Sequence, residues 1–202
     1  AIIPSGIEKF SQLKEKVTDF GSNIISFGDD EGSGVRIGTI EVLGNSISST
    51  ITDQKQNLWN VKLKTAGKHY MKNAAALLTL VSSLNLELSK AILALQSWSP
   101  LAGRGEVLEV KLKASNFNEA IHLIDESYNA NPSSVKSSLE TLACIFKNKK
   151  GQGEYYRRIA VLGDMLELGF SEIQEHVNIS KFARLDKIDK IYCGFLASWT
   201  RY

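Results

Sequence analysis

Strand and helix patterns alternate over the second half of the chain, and their order restricts the fold more than any other feature. Short apolar runs predict strands, and apolar residues at helical spacing predict helices. The patterns follow the order β-β-α-β-α-β, over Val107–Leu112, Ala120–Asp125, Pro132–Lys147, Arg157–Leu162, Ser171–Leu185 and Lys190–Gly194. This order predicts an α/β domain built on a parallel sheet with right-handed crossovers.

The best-defined unit of this domain is Ile121–Pro132, a predicted buried strand followed by a polar loop and a helix start. The strand ends at Asp125, and Asn131 stands at the N-cap position just before a proline. Ligands of α/β proteins bind beyond the carboxyl ends of strands, so Asp125, Tyr128 and Asn129 are candidates for contact with a nucleotide or substrate. On spacing alone, a plain turn and helix cap is the simpler interpretation.

A second loop, Gly163–Gly169, follows the predicted strand Arg157–Leu162. In one parallel sheet, this loop and the loop after Asp125 would lie at the same edge. The sequence therefore predicts that the two loops form one side of a ligand cleft.

The first half of the chain has a different pattern. Ser5–Glu8 fits a capping box at the start of an amphipathic helix that ends near Gly21. Four short β-like segments within residues 35–64 predict a small meander. Gly67 then opens a helix, and a second helix covers about Leu86–Gln96.

The best candidate for a linker is Trp98–Glu106, because a proline and two glycines interrupt both helix and strand. We therefore predict one domain over residues 1–100 and another over residues 101–202. Arg104 stands between the two glycines, which predicts a bendable backbone and a guanidinium that swings toward a phosphate or ribose. A solvated arginine is the alternative for an isolated Gly-Arg-Gly.

Composition restricts the functional class. The chain has 202 residues, of which 43% are hydrophobic and 23% charged, as in ordinary globular proteins. Its net charge of +2 is too small to indicate binding to nucleic acid or to an anionic membrane, and no apolar run is long enough to span a bilayer. Cys144 and Cys193 are predicted to be reduced and buried, and neither the cysteines nor the three histidines have metal-ligand spacing.

The chain has neither a dinucleotide fingerprint nor a phosphate loop of its own. It starts with Ala1 rather than Met, which is typical of the interior of a longer chain.

Four strings, in the right order, resemble motifs of the Mur ligase family. Any one of them is weak evidence, whereas four in order are strong evidence. Asp125–Pro132 resembles the family's Tyr-Asn-Ala-Asn-Pro loop, and Val161–Gly169 resembles a segment typical of the D-alanyl-D-alanine-adding members. The other matches are Gly67–His69 with Asn73, Gly103–Glu106, and His176, which falls where those members usually have His.

The resemblance implies a division of the chain between two Mur-type domains. Residues 1–100 would be the C-terminal part of the central ATP-binding domain, and residues 101–202 the truncated beginning of a Rossmann-like C-terminal domain. The family's phosphate loop, carbamylated lysine and magnesium ligands would then lie upstream of Ala1. A fragment of this kind is expected to be inactive alone.

For the complete enzyme, the resemblance implies a cytoplasmic, ATP-dependent and Mg²⁺-dependent amide ligase of peptidoglycan synthesis, expected to be a monomer. It would join D-alanyl-D-alanine to UDP-N-acetylmuramoyl-tripeptide through an acyl phosphate. By the same resemblance, Asn73 and its motif partner His69 belong to the adenine site, Asp125 binds the ribose, and Arg104 reaches the nucleotide phosphates as the catalytic residue. The residues implied to line the nucleotide and dipeptide side of the cleft are Tyr128, Asn129 and Asn131.

Two positions depart from the family pattern. Tyr70 stands where the family usually has Asn, so one hydrogen bond to adenine is in question and stacking by the Tyr70 ring is the predicted substitute. Glu126 replaces the second acid of the more usual Asp-Asp pair.

Two other functions stay open on the sequence. A sister ligase would add a single amino acid or add glutamates to folate, although the strings at Asp125–Pro132 and Val161–Gly169 argue against it. A non-catalytic α/β nucleotide-binding module is the other alternative, and the missing phosphate loop favours it.

Overall fold

A computed structural model of the chain describes residues 1–111, 120–145 and 157–194. The chain divides into two compact units. The first consists of Ala1–Lys64 and Lys68–Ser99, and the second of Thr65–Gly67 and the chain from Pro100 onward. The last residues of the predicted helix Pro132–Lys147 lie outside the described residues.

The first unit is a mixed sheet covered by helices. Its sheet has the order β1-β2-β3-β5-β4, with β6 also paired to β5. The pairs β1–β2 and β2–β3 are parallel, and the other pairs are antiparallel. Its elements are β1 (Ile2–Pro4), α1 (Phe10–Asp19), β2 (Ile25–Gly28), β3 (Val35–Ile37), β4 (Glu41–Leu43), β5 (Ser46–Thr52), β6 (Leu58–Leu63), α2 (His69–Ser83) and α3 (Leu88–Ser97).

The core of the first unit follows from the alternation along its strands. Every second residue of β5 and β6 is buried, because successive side chains of a strand point to opposite faces. On the buried face, Ile51 and Val61 belong to one core cluster with Met71 and Leu78 of α2. The four predicted β-like segments within residues 35–64 and the predicted helix after Gly67 are therefore confirmed.

The first helix is an exception. Helix α1 begins at Phe10, has no side-chain cap and contains no buried residue. The Ser5 hydroxyl, predicted to cap it, instead lies within hydrogen-bond distance of the Phe27 carbonyl oxygen at 3.2 Å and of an Asp30 carboxylate oxygen at 2.9 Å. The prediction of a capping box at Ser5–Glu8 is wrong because partners distant in sequence hold the serine.

The second unit is α/β, as the alternating pattern predicted. The strands β9 and β10 are parallel. The strands β7 and β8 form an antiparallel pair that joins Glu106 to Asp125 at one end and Lys111 to Ala120 at the other. Its elements are β7 (Glu106–Lys111), β8 (Ala120–Asp125), α4 (Pro132–Cys144), β9 (Ile159–Leu162), α5 (Glu172–Ser180) and β10 (Lys190–Cys193).

The prediction of one parallel sheet in this unit is wrong for the residues that the structure describes. There, β7–β8 and β9–β10 form two separate two-stranded sheets. The loop after Asp125 and the loop after Leu162 therefore do not share an edge of one sheet. Helices α4 and α5 pack together with β9 through a small core of Leu139, Ala160, Met165 and Ile179.

The two cysteines differ in their surroundings. Cys144, at the end of α4, is buried, whereas Cys193, at the end of β10, is exposed. Both are free thiols, so the prediction of buried thiols is confirmed for Cys144 and wrong for Cys193. Within the described ranges, no helix has the length and apolar character needed to cross a membrane.

Candidate functional site

A tight turn follows strand β8 and is built around Asp125. The Ser127 N–H donates to Oδ1 of Asp125 at 3.1 Å. Hydrogen bonds from the hydroxyl and N–H of Ser127, with a further one from the Gly103 N–H, lower the pKa of Asp125 below its ordinary value of 3.8. Asp125 therefore closes the turn and carries a negative charge at neutral pH.

The Gly-Arg-Gly segment docks against this turn through its backbone. The Gly105 N–H donates to the Asp125 carbonyl at 2.7 Å, and the Tyr128 N–H donates to the Gly103 carbonyl at 3.0 Å. Both glycines are buried and have positive φ, +75° at Gly103 and +88° at Gly105. Only glycine adopts such a backbone without strain.

A close approach adds a second reason for glycine at position 103. A Cβ placed on Gly103 would lie 3.1 Å from Cβ and 3.2 Å from the backbone nitrogen of Tyr128. The positive φ of both glycines agrees with the predicted bend of the backbone, whereas the swing of Arg104 toward a ligand stays a prediction. The two glycines let two turns pack together, which holds the backbone on both sides of Arg104.

One side chain from each of the two packed turns contacts the other. The guanidinium carbon of Arg104 lies 3.9 Å from the centre of the Tyr128 ring, within the range of a cation–π contact. Arg104 and Tyr128 are both exposed. The second unit thus presents a cation and an aromatic ring on the same pair of turns as the carboxylate of Asp125.

The two asparagines of this loop have backbone partners. Oδ1 of Asn131 accepts from the Ser134 N–H at 2.9 Å, and the Ser134 hydroxyl oxygen accepts from the Asn131 N–H at 3.0 Å. The predicted N-cap at Asn131, with Pro132 at the first helical turn, is confirmed. Oδ1 of Asn129 accepts from the Ala130 N–H at 2.9 Å. Contact of either asparagine with a ligand stays a prediction.

Replacing Asn131 by alanine should destabilise the second unit by about 1 kcal/mol, the usual cost of losing an N-cap side chain. The Ser134 N–H loses its acceptor in this variant. Urea unfolding of Asn131→Ala and of the control Asn129→Ala measures the effect. Equal stability of the two variants would contradict the role of Asn131 as the cap.

A histidine that sequence reasoning left without a role holds the second loop. The Met165 N–H donates to Nε2 of His176 at 3.0 Å, and Nδ1 of His176 lies 2.8 Å from the Glu172 carbonyl oxygen. Since Nε2 accepts, the proton of the neutral ring sits on Nδ1 and is donated to Glu172. Met165 itself is 2% exposed, so His176 ties the loop Gly163–Gly169 to the core through a buried residue.

The variant His176→Phe should lower the free energy of unfolding by about 1–3 kcal/mol, because the buried Met165 N–H loses its acceptor. Hydrogen exchange measured at individual amides locates the effect. The Met165 amide should exchange faster in the variant than in the wild type. Unchanged protection of that amide would show that His176 does not hold the loop.

The predicted residues of the first unit lie at the start of α2. The His69 ring lies tilted against the Tyr70 ring with 4.1 Å between ring centres, and the ring centres of Tyr70 and Trp98 are 4.9 Å apart. Tyr70 is half-buried and packs against the core of its own unit. Its ring is therefore engaged by these two aromatic neighbours, and the predicted stacking on adenine stays untested. Asn73 is exposed one turn further along the helix.

The His69 ring predicts a dependence of stability on pH. Burial lowers the pKa of His69 below its ordinary value of 6.5. Between its folded-state pKa and 6.5, the unfolded chain binds more protons, so stability is full above about pH 6.5 and falls as the pH drops through this window. Thermal unfolding at pH 7.5 and 5.5 should show this fall, and His69→Phe should reduce it. An identical pH dependence in both proteins would refute the assignment.

A second acid, Glu126, stands beside Asp125. Glu126 is partly buried, and its burial raises its pKa above the ordinary value of 4.5.

The predicted site residues lie in two groups. Arg104, Asp125 and Tyr128 come together within the second unit, whereas His69 and Asn73 lie at the start of helix α2 in the first unit.

Known proteins resemble this chain in sequence and in fold. The UDP-N-acetylmuramoyl-tripeptide–D-alanyl-D-alanine ligase of Mycobacterium leprae is 31% identical over 140 residues, which are 66% of this chain and 26% of that protein. A crystal structure of MurF from Acinetobacter baumannii superposes with a TM-score of 0.72 at 25% identity, over 96% of this chain and 42% of that one. No family model matches the sequence.

A more distant likeness shows the fold alone. Folylpolyglutamate synthetase from Lactobacillus casei superposes with a TM-score of 0.58 at 14% identity, over 98% of this chain and 46% of that one. The fold, with the ordered motifs on its turns, is thus that of ATP-dependent ligases of the Mur type. The chain is similar to the Mur ligases named MurF, and it spans about a quarter of the curated sequence from M. leprae.

Proposed function

We propose that this chain works within an ATP-dependent ligase that joins D-alanyl-D-alanine to UDP-N-acetylmuramoyl-tripeptide during peptidoglycan precursor synthesis in the cytoplasm. The observation that carries the proposal is the packing of the Arg104 turn against the Asp125–Tyr128 turn. Both turns carry motifs of the family, and their contact presents a cation, a carboxylate and an aromatic ring together.

The domain assignment belongs to the same proposal. We assign the first unit to the C-terminal part of a central ATP-binding domain and the second to the start of a Rossmann-like C-terminal domain. The ligase would act as a monomer, and the parts of the relatives that this chain does not match would supply the remaining machinery.

The reaction is the condensation of a carboxylate and an amine. The terminal carboxylate of the tripeptide attacks the γ-phosphorus of ATP, ADP leaves, and an acyl phosphate forms. The amine of D-alanyl-D-alanine then attacks the acyl carbon, inorganic phosphate leaves, and the amine loses a proton. Fixed cations that face the transferred phosphoryl group stabilise the charge that develops there.

The residues of this chain fit contact with the nucleotide. The Arg104 guanidinium is exposed and offers planar N–H donors suited to phosphate oxygens. The ionised, partly exposed Asp125 suits ribose hydroxyls, and His69 and Asn73 at the start of α2 suit the adenine edge. Mg²⁺ would be held by residues outside this chain. In the described part of this chain, no three His, Cys, Asp or Glu side chains form a group that could hold a metal ion.

A substrate screen with the complete gene product tests the proposal. UDP-N-acetylmuramoyl-tripeptide and ATP are supplied with D-alanyl-D-alanine, with a single amino acid, or with glutamate, and folate is tested with glutamate. Phosphate release and a new amide product are expected with D-alanyl-D-alanine alone. Turnover of folate with glutamate would instead assign the protein to the sister class, and the absence of any turnover would favour a binding module.

A further inference from the structure

The backbone on both sides of Arg104 is held by hydrogen bonds. Two backbone hydrogen bonds join the Arg104 turn to the turn after β8: the Tyr128 N–H donates to the Gly103 carbonyl, and the Gly105 N–H donates to the Asp125 carbonyl. The residues on both sides of Arg104 are therefore fixed to the turn that carries Tyr128. The starting direction of the arginine side chain is set relative to the tyrosine.

The tyrosine ring then restrains the end of that side chain. A free arginine side chain has many rotamers, and ordering it on substrate binding costs entropy. The ring lies against the guanidinium at 3.9 Å, a contact that lowers this cost because the group is already oriented. Guanidinium groups commonly stack on aromatic rings through their planar face, and the edge of the group carries the N–H donors suited to a bidentate contact with phosphate.

We propose that Tyr128 is a positioning residue for Arg104, which orients the guanidinium before a phosphate-bearing substrate arrives. The ring itself does not contact the substrate, and the phenol hydroxyl has no part in the effect. The inference rests on the proposed function, since it takes Arg104 to meet the phosphates of ATP. It changes the role that the family resemblance implied for Tyr128, from lining the cleft to acting through the arginine.

A spectroscopic experiment reads the contact without any reaction. In the complete gene product labelled with ¹⁵N-arginine, the Nε–H proton of Arg104 should be shifted upfield by the ring current of Tyr128. The shift should persist in Tyr128→Phe, which keeps the ring, and disappear in Tyr128→Leu, which fills similar space without one. An Arg104 resonance that is the same in all three proteins would overturn the proposal.

Kinetics test whether the contact serves substrate binding. Tyr128→Leu should raise the KM for ATP about two- to fivefold, as expected for an exposed cation–π contact, and leave kcat nearly unchanged. Tyr128→Phe should restore the wild-type KM. In an Arg104→Ala background, Tyr128→Leu should have no further effect, because the ring acts only through the arginine.

Two kinetic outcomes would overturn the inference. Additive losses in the double variant would mean that Tyr128 meets the substrate directly, and a Phe variant as impaired as the Leu variant would assign the effect to the hydroxyl. A failure of the proposed function would give a different experimental result. The complete protein would then not use D-alanyl-D-alanine, while the arginine resonance would still report whether ring and guanidinium are paired.

Discussion

The variant Arg104→Ala should lower kcat/KM for ATP in the complete ligase by about 100-fold or more, the usual scale for removing a charged donor that faces a transferred phosphoryl group. Its fold should be intact, because the arginine side chain is exposed and the turn is held by its neighbours. Steady-state kinetics with varied ATP, together with thermal unfolding, separate the two effects.

A matched arginine provides the control. Arg157 is also exposed and stands just before β9, so Arg157→Ala removes the same charge elsewhere in the second unit. Equal kinetics for Arg104→Ala and Arg157→Ala would defeat the assignment of Arg104 to the nucleotide.

The partner carboxylate needs a gentler substitution. Asp125→Asn keeps an oxygen that accepts from the Ser127 N–H, while it removes the charge predicted to face the ribose. Asp125→Ala would also open the turn, so a loss of activity in that variant would combine two effects.

The variant Gly103→Ala should destabilise the second unit by about 2–4 kcal/mol and raise the KM for ATP. A positive φ costs an alanine about 1–2 kcal/mol. The new methyl would also lie 3.1 Å from Cβ and 3.2 Å from the backbone nitrogen of Tyr128, where the turns have no room to yield without losing their hydrogen bonds. Separation of the two turns would also misplace Arg104.

Gly32→Ala is the control for this variant. Gly32 has no positive φ, and a Cβ added there meets nothing within 4 Å. Urea unfolding of the two variants should therefore differ by nearly the whole expected effect. A Gly103→Ala protein as stable as Gly32→Ala would show that the two turns do not depend on each other.

Patterns of residues close in sequence were sufficient to predict many of the helices and strands. The β-like segments within residues 35–64 and the helix after Gly67 were predicted correctly, because each depends on residues close in sequence. The cap at Asn131 was predictable for the same reason: its partner Ser134 is only three residues away.

The errors have the opposite origin. Ser5 was predicted to cap a helix, but its hydroxyl lies within hydrogen-bond distance of Phe27 and Asp30, more than twenty residues away. The antiparallel pairing of β8 with β7 also depends on residues distant in sequence. Hydrophobic periodicity predicts a strand but not the strand with which it pairs. Two contacts of the site also depend on the tertiary fold: that of His176 with Met165 and that of Arg104 with Tyr128. The order of residues alone does not say which group a side chain will contact.

The same distinction between local and long-range contacts explains which features of the site were predicted. Asp125 was found because an acid at the end of a strand is a local signal. The close approach of Gly103 to Tyr128 was missed, because free bending and such an approach require the same residue type. Which of the two applies is decided by a turn that lies more than twenty residues further along the chain.

The contrast between the two cysteines makes site-selective labelling possible. A maleimide dye under native conditions should attach at Cys193 much faster than at Cys144, because reaction requires access to the thiolate. A fluorophore at this single position would report on movements of the second unit without any engineered residue. The same accessibility means that preparations kept without a reducing agent should accumulate disulfide-linked dimers through Cys193.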